Sequence, residues 1–312
     1  MTSQFRRFFS ASLGLAAAAL ISISSAADAP SDLTHVGRSS VYGNLKNASL
    51  EAVSTPKAML ALIKAPDSAA PTAIWTMLEH GERVECLECI PYVSKMLYAS
   101  NPKTREISAW WLRRRIFGVF GKGEAYEQTI NTVSDPKASE VARSYAANAL
   151  GEFLEGAGIA PVAKALVADA SPMVRLAAAN ALIRLNNQGP NSELSAALSD
   201  RDEAVRLAAL NGVTHINVFS HVDRVIRLIS DPNADVRRRA AQTLGTLKNG
   251  DAVVGLIALT TAENEPNAGV RAAAVWALGQ IADSQALDAV LAAADDGDSG
   301  VRDAARFAAY RL

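Results

Sequence analysis

Apolar and polar positions alternate along the C-terminal two-thirds of the chain with the period of an α-helix, and the pattern itself recurs. It reads Val174-Arg-Leu-Ala-Ala-Ala-Asn-Ala-Leu182, Val205-Arg-Leu-Ala-Ala-Leu-Asn-Gly-Val213, Val236-Arg-Arg-Arg-Ala-Ala-Gln-Thr-Leu244 and Val270-Arg-Ala-Ala-Ala-Val-Trp-Ala-Leu278, with a diverged copy at Val301-Arg-Asp-Ala-Ala-Arg-Phe-Ala-Ala309. The spacing is near thirty-one residues. Self-similarity at such a period marks a solenoid, in which each unit buries its apolar face against its neighbours. With the shared Arg as position zero, small or apolar residues recur at positions three, four, six and seven, as in Ala146, Ala147, Ala149 and Leu150. Those positions share one wide helix face. A shorter, more aliphatic segment precedes each phrase: Val162, Leu166 and Val167; Val222, Val225, Ile226 and Ile229; Val253, Leu256 and Ile257; Leu287, Val290 and Leu291. The pattern predicts tandem antiparallel helix pairs joined by short turns.

The polar positions repeat as well. The shared Arg falls at Arg143, Arg175, Arg206, Arg237, Arg271 and Arg302, with a weaker copy at Arg105. Six residues earlier stand Asp169, Asp200, Asp231, Glu265 and Asp296. The stretch between acid and Val is a turn, supported by Pro172, Pro232 and Gly300 in or near it. Such an acid can accept amide hydrogens at the start of the following helix. Stacking would also bring each Arg to the acids of adjacent turns, giving a structural ladder of charge-assisted bonds.

The signature Asp-(Pro)-x-x-x-Val-Arg-x-x-Ala-Ala-x-Ala-Leu-Gly, clearest from Asp231 to Gly245, resembles the HEAT-repeat family, in the short variety also found in phycobilin lyases. The likeness covers residues 124–312 well and 86–120 loosely. It implies an all-α fold, a right-handed α-solenoid of antiparallel helix pairs. HEAT arrays generally act as binding scaffolds, so the resemblance also implies a protein partner.

Position five of the second helix lies opposite the packed face and is expected on the inner surface of the curve. It carries Trp110, Asn148, Asn180, Asn211, Gln242, Trp276 and Phe307. Carboxamides both donate and accept, so such a stripe can hold an extended peptide or a glycan, with the aromatics as anchors. The structural alternative is that the amides satisfy neighbouring helix turns and the indoles cover alanine-rich gaps. Position nine adds Arg114, Glu152, Arg184, His215, Thr246, Gln280 and Arg311.

The N-terminal third departs from the repeat. Residues 1–27 read as a cleaved export signal: Arg6 and Arg7, a short apolar run from Leu13 to Ile23, then small residues. Phe5 stands where a twin-arginine signal has Ser or Thr, which favours Sec export to the periplasm or beyond. Residues 28–55 are a polar lead-in, 56–120 a helical cap with a diverged first repeat, and 121–312 the array. Cys86 and Cys89 are the only cysteines, and an exported chain favours a disulfide between them. A redox pair, a metal-bound pair and free thiols are the alternatives. In Trp110-Trp111-Leu112-Arg113-Arg114-Arg115, Trp111 falls at a core position. The three arginines can receive a carboxylate or phosphate, or form a solvated face paired with Glu106 or Glu152.

Charge and chemistry narrow the reading. The formal charge is −1, and loss of Arg6 and Arg7 with no acid in residues 1–27 makes it −3, so there is no general attraction to nucleic acid. No apolar run is long enough for a membrane span. The histidines, His35, His80, His215 and His221, are scattered, and none is followed by the Glu that a HEAT-type di-iron hydroxylase would need. No phosphate loop, nucleophile elbow or zinc-protease helix is present, and no cofactor or metal is expected. The expected function is a non-catalytic periplasmic scaffold binding a protein or extended ligand on its concave surface. The alternatives are a redox or cofactor-handling accessory using Cys86 and Cys89, or a lyase-like enzyme near Trp110.

Overall fold

A computed structural model describes residues 55–63, 74–75, 78–79, 85–116, 123–185, 191–215 and 219–312. The expected export signal and nearly all of the lead-in fall outside those residues.

All regular structure among the described residues is helical. Helix α1 (Pro56–Ile63) is followed by seven helix pairs: α2 (Ile90–Met96) with α3 (Pro102–Ile116), α4 (Glu124–Ser134) with α5 (Glu140–Phe153), α6 (Ile159–Ala168) with α7 (Pro172–Leu185), α8 (Asn191–Ala197) with α9 (Glu203–Val213), α10 (Val222–Arg227) with α11 (Ala234–Leu247), α12 (Val253–Ala258) with α13 (Ala268–Ile281), and α14 (Leu287–Ala293) with α15 (Ser299–Ala309). Each pair packs on the next, so the molecule is an α-solenoid with one layer of first helices and one of second helices. A single apolar core runs from Met59 to Ala308 between the layers.

Alanine sets the spacing of the second-helix layer. Ala178, Ala179 and Ala181 of α7 are buried, as are Ala240 and Ala241 of α11 and Ala273, Ala274 and Ala277 of α13. At three junctions a glycine at position eight receives an alanine at position six of the next second helix. A Cβ on Gly151 would lie 2.8 Å from the Ala181 Cα, one on Gly245 2.8 Å from the Ala277 Cα, and one on Gly279 2.6 Å from the Ala308 Cα. Such backbone approach is open only to glycine.

The first-helix layer is more open. A cavity of 340 Å³ separates α2 from α4, lined by Pro91, Ser94, Tyr98, Glu124 and Gln128 among others. Another of 340 Å³ separates α4 from α6, lined by Val133, Pro136, Pro161, Lys164 and Ala168 among others. Position five of the second helices lies opposite their buried alanines, on the row expected to form the inner surface.

Candidate functional site

The arginines at position zero are held by two sets of bonds. Nη1 of Arg175, Arg206, Arg237 and Arg271 donates to the two carbonyls five and six residues back, at 2.8–3.2 Å. This fixes each guanidinium beside its own turn. Its remaining edge reaches forward to the acid of the following pair. Nε lies 2.7 Å from the carboxylate in Arg143–Asp169, Arg175–Asp200 and Arg206–Asp231, 2.6 Å in Arg237–Glu265 and 2.8 Å in Arg271–Asp296. Nη2 donates to the second oxygen at 2.8–2.9 Å in all five. This planar two-point match is peculiar to Arg with a carboxylate.

The acids are satisfied from the other side too. Each accepts the amide of the residue two positions on, at 2.8–2.9 Å: Ser171, Asp202, Asn233, Asn267 and Asp298. Burial alone would raise the carboxyls of Asp169, Asp200 and Glu265, but the arginine and amide bonds hold all three below their ordinary values. Asp296 is lowered chiefly by its bond to Arg271. The same bonds raise Arg143, Arg175, Arg237 and Arg271.

The capping expectation is corrected in one respect. The acid at minus six does not itself cap the following helix. The side chain at minus four does so: Ser139, Asp202, Asn233, Asn267 and Asp298 accept amides of the first turn. Those residues are all good N-caps. Their recurrence four residues before the shared Arg is a signal the sequence itself carries.

Along the position-five row, Asn148, Asn180 and Asn211 are exposed and Gln242 is half-exposed. None of these four carboxamides makes a side-chain hydrogen bond within the described residues. Trp276 is half-buried against the core, its ring edge 2.9 Å from where a Gly245 Cβ would stand, so this indole does cover a small-residue gap. Trp110 is likewise half-buried against the core, with the Arg114 guanidinium 5.5 Å from its ring centre. Phe307 is 41% exposed, with Arg311 5.5 Å from its ring centre.

Position nine is mostly engaged internally. Glu152 pairs with Arg184, His215 Nδ1 lies 2.8 Å from the Asn211 carbonyl, and Thr246 donates to the Gln242 carbonyl. Arg311 donates to the Gly279 carbonyl at 2.8 Å. Burial raises the Glu152 carboxyl despite Arg184, with Glu106 adding to the rise. At the N-terminal end of the face, a cavity of 190 Å³ is lined by Arg105, Glu106, Tyr145, Asn148, Glu152 and Arg184 among others. There the ladder is interrupted. Arg105 is held by the carbonyls of Ala99 and Ser100 at 2.7 and 2.8 Å, like its successors. Lys137 occupies the position of the next acid, and the Arg105 guanidinium lies 3.8 Å from the Tyr145 ring centre.

The three consecutive arginines do not form one anion site, because successive helical residues point about 100° apart. Arg113 donates to the Glu152 carbonyl, and Arg114 faces solvent beside Trp110. Arg115 is buried, donates to the Trp111 carbonyl at 2.9 Å and stacks 3.8 Å from the Trp111 ring centre. Burial, with Arg114 adding repulsion, pulls it down to about 10. Trp111 is fully buried.

Cys86 and Cys89 are joined by a disulfide at the turn before α2, and both residues are almost wholly inaccessible. Thiol exchange needs access for an attacking sulfur. In this conformation none is provided. Among the described residues, no group of His, Cys, Asp and Glu is arranged to hold a metal ion, and no helix is long and apolar enough to cross a membrane.

Comparison with known proteins agrees with this geometry. The family model for HEAT repeats matches residues 191–266 and 222–309. No curated protein matches the chain. Among solved structures, the Escherichia coli protein YibA is similar over 79% of this chain and 99% of its own, at 18% identity and a TM-score of 0.52. Yeast importin-β is similar over 83% of this chain and 46% of its own, at 15% identity and a TM-score of 0.58. Likeness at these identities concerns the fold alone.

Proposed function

Residues 191–309 match HEAT repeats, and from that premise we propose that the chain is a HEAT-repeat protein acting as a non-catalytic scaffold that binds a protein or extended ligand along its concave face. The observation that carries this reading is the row Asn148, Asn180, Asn211 and Gln242. Four carboxamides in register, with no partner among the described residues, project from helices whose other polar groups are largely bonded. Each offers two donors and an acceptor. An extended backbone presents its own donors and acceptors at regular intervals and is their natural complement. Phe307, exposed at the far end, adds an aromatic contact where burial on binding would contribute most.

The same proposal places the protein in the periplasm or outside the cell. Its support is the leading sequence, Arg6 and Arg7 ahead of a short apolar run, together with a cysteine pair suited to an oxidising compartment.

The test replaces Asn180, Asn211 and Gln242 together by Ala. Partners captured from periplasmic extract by the tagged wild type are expected to be lost or reduced at least about tenfold, with the helical circular dichroism unchanged. Undiminished capture of the same partner by the triple variant would remove the groove from consideration.

A further inference from the structure

Helix α11 departs from the repeat on the side that meets α9. At the tight junctions, position six of a second helix faces the helix before it, as Ala181 faces Gly151 and Ala277 faces Gly245. Position two lies one helical turn earlier on that same side. The two positions hold buried small residues in neighbouring helices: Ala177 and Ala181 in α7, Ala208 and Gly212 in α9, Ala273 and Ala277 in α13. In α11 they are Arg239 and Thr243. The Nε of Arg239 and the Oγ1 of Thr243 are both buried, and neither makes a hydrogen bond among the described residues. The rest of the half-buried Arg239 guanidinium is equally without a hydrogen bond or ion pair among them.

The acids of α9, of α11 and of the turns before them are engaged elsewhere. Asp200 and Asp231 close ladder rungs with Arg175 and Arg206, and Asp202 caps α9. Glu203 accepts from the Asn233 side-chain amide at 2.7 Å, and Asp235 pairs with Arg238 at 2.7 Å. The chain therefore sets a cation and a hydroxyl into this seam with no internal partner. Buried donors left unmet destabilise a fold. Departures of this kind from an otherwise consistent pattern belong to functional positions, where a ligand completes them.

We propose that Arg239 anchors a carboxylate, the side chain of an Asp or Glu in an extended partner segment lying along the position-five row; this rests on reading that row as a binding surface. Arg239 stands three residues before Gln242, its neighbour on the helix surface, and on the side of α11 turned toward α9, which carries Asn211. A carboxylate entering the seam takes two parallel bonds from the guanidinium fork. Asn211 and Gln242 then meet the backbone on either side of it. A neutral side chain in the same place would leave the cation uncompensated. Half-buried arginine is also a residue type on which binding energy concentrates.

The test is a nuclear magnetic resonance titration of the full chain with acetyl-Gln-Glu-Gln-amide, reading the arginine Nε–Hε signals and the Asn and Gln side-chain amides together. The Arg239 signal, assigned by its loss in Arg239→Met, is expected to shift and saturate, while that of Arg175 stays still. Acetyl-Gln-Gln-Gln-amide should bind at least about tenfold more weakly. In Arg239→Met, which keeps an aliphatic stem in the seam, that preference should vanish, with the melting temperature within about 4 °C of the wild type. An unmoved Arg239 signal, equal affinity for the two peptides, or a larger fall in melting temperature, the mark of a guanidinium bonded within the fold, would each overturn the proposal. The two readings fail separately. Asn211 and Gln242 amides that shift beside a still Arg239 keep the row and remove the anchor, whereas a shifting Arg239 beside still amides upholds the carboxylate site and removes the row.

Discussion

At the residue scale, the ladder places ions in the wall of the solenoid at a cost met only by complete pairing. Arg175 and Asp200 are each about nine-tenths buried at the side chain. Breaking such a pair leaves an unpartnered charge in a poorly solvated site, which typically costs about 3–5 kcal/mol. Arg175→Ala is therefore expected to lose about 3 kcal/mol or more of stability at pH 7, measured by urea unfolding. The deficit has a defined pH dependence. In the wild type the Asp200 carboxyl is held below its unfolded value, so its stabilising contribution is present above about pH 4 and is lost as the pH falls through the folded value. In the variant the unpaired Asp200 protonates more readily. The gap between the two proteins should narrow below about pH 4. A gap that stays constant from pH 7 to 3 would show that Asp200 is not what Arg175 neutralises.

At the element scale, the ends of the helices and the faces that meet are where local sequence acts. Gly279 admits Ala308 backbone, so Gly279→Val must push α13 and α15 apart. Overpacking at a rigid contact costs about 1–3 kcal/mol. Gly156, with nothing within 4 Å of an added Cβ, is the control: Gly156→Ala should stay within about 1 kcal/mol of the wild type. Equal melting temperatures for the two variants would mean that the close approach of α13 and α15 does not limit stability. The helix pairs and their buried alanines were legible from the period alone, because one face repeats in every unit. The fate of Arg113, Arg114 and Arg115 was not. Three adjacent like residues look like a patch in a string, yet the helical turn sends Arg115 into the core and leaves Arg114 in solvent. The period assigns position five to one face, but the half-burial of Trp110 and Trp276 depends on how small their neighbours are, which only packing reveals.

At the scale of the whole molecule, the junctions are unequal. Gly151, Gly245 and Gly279 make three tight seams, whereas Ile183 and Thr214 stand at the same position on either side of α9. Ile183 is received by Gly212, in the reverse arrangement of large and small. Thr214 has no such counterpart: the residue at the receiving position is Thr243, whose buried hydroxyl is without a bond. A linear array parts where its interface is poorest. Hydrogen exchange is therefore expected to show two cooperative blocks, one ending at α9 and one beginning at α11. A single opening free energy across α5 to α15 would contradict this. The ladder nonetheless crosses that seam, through Arg206 and Asp231. Since each arginine from Arg143 to Arg271 clasps the acid of its successor and the units from Asp169 onward supply one of each, excising a whole unit such as residues 200–230 would bring Arg175 against Asp231. The rung would close again with no charge orphaned. A chain wired in this way can gain or lose units by duplication and deletion while its electrostatics heal themselves.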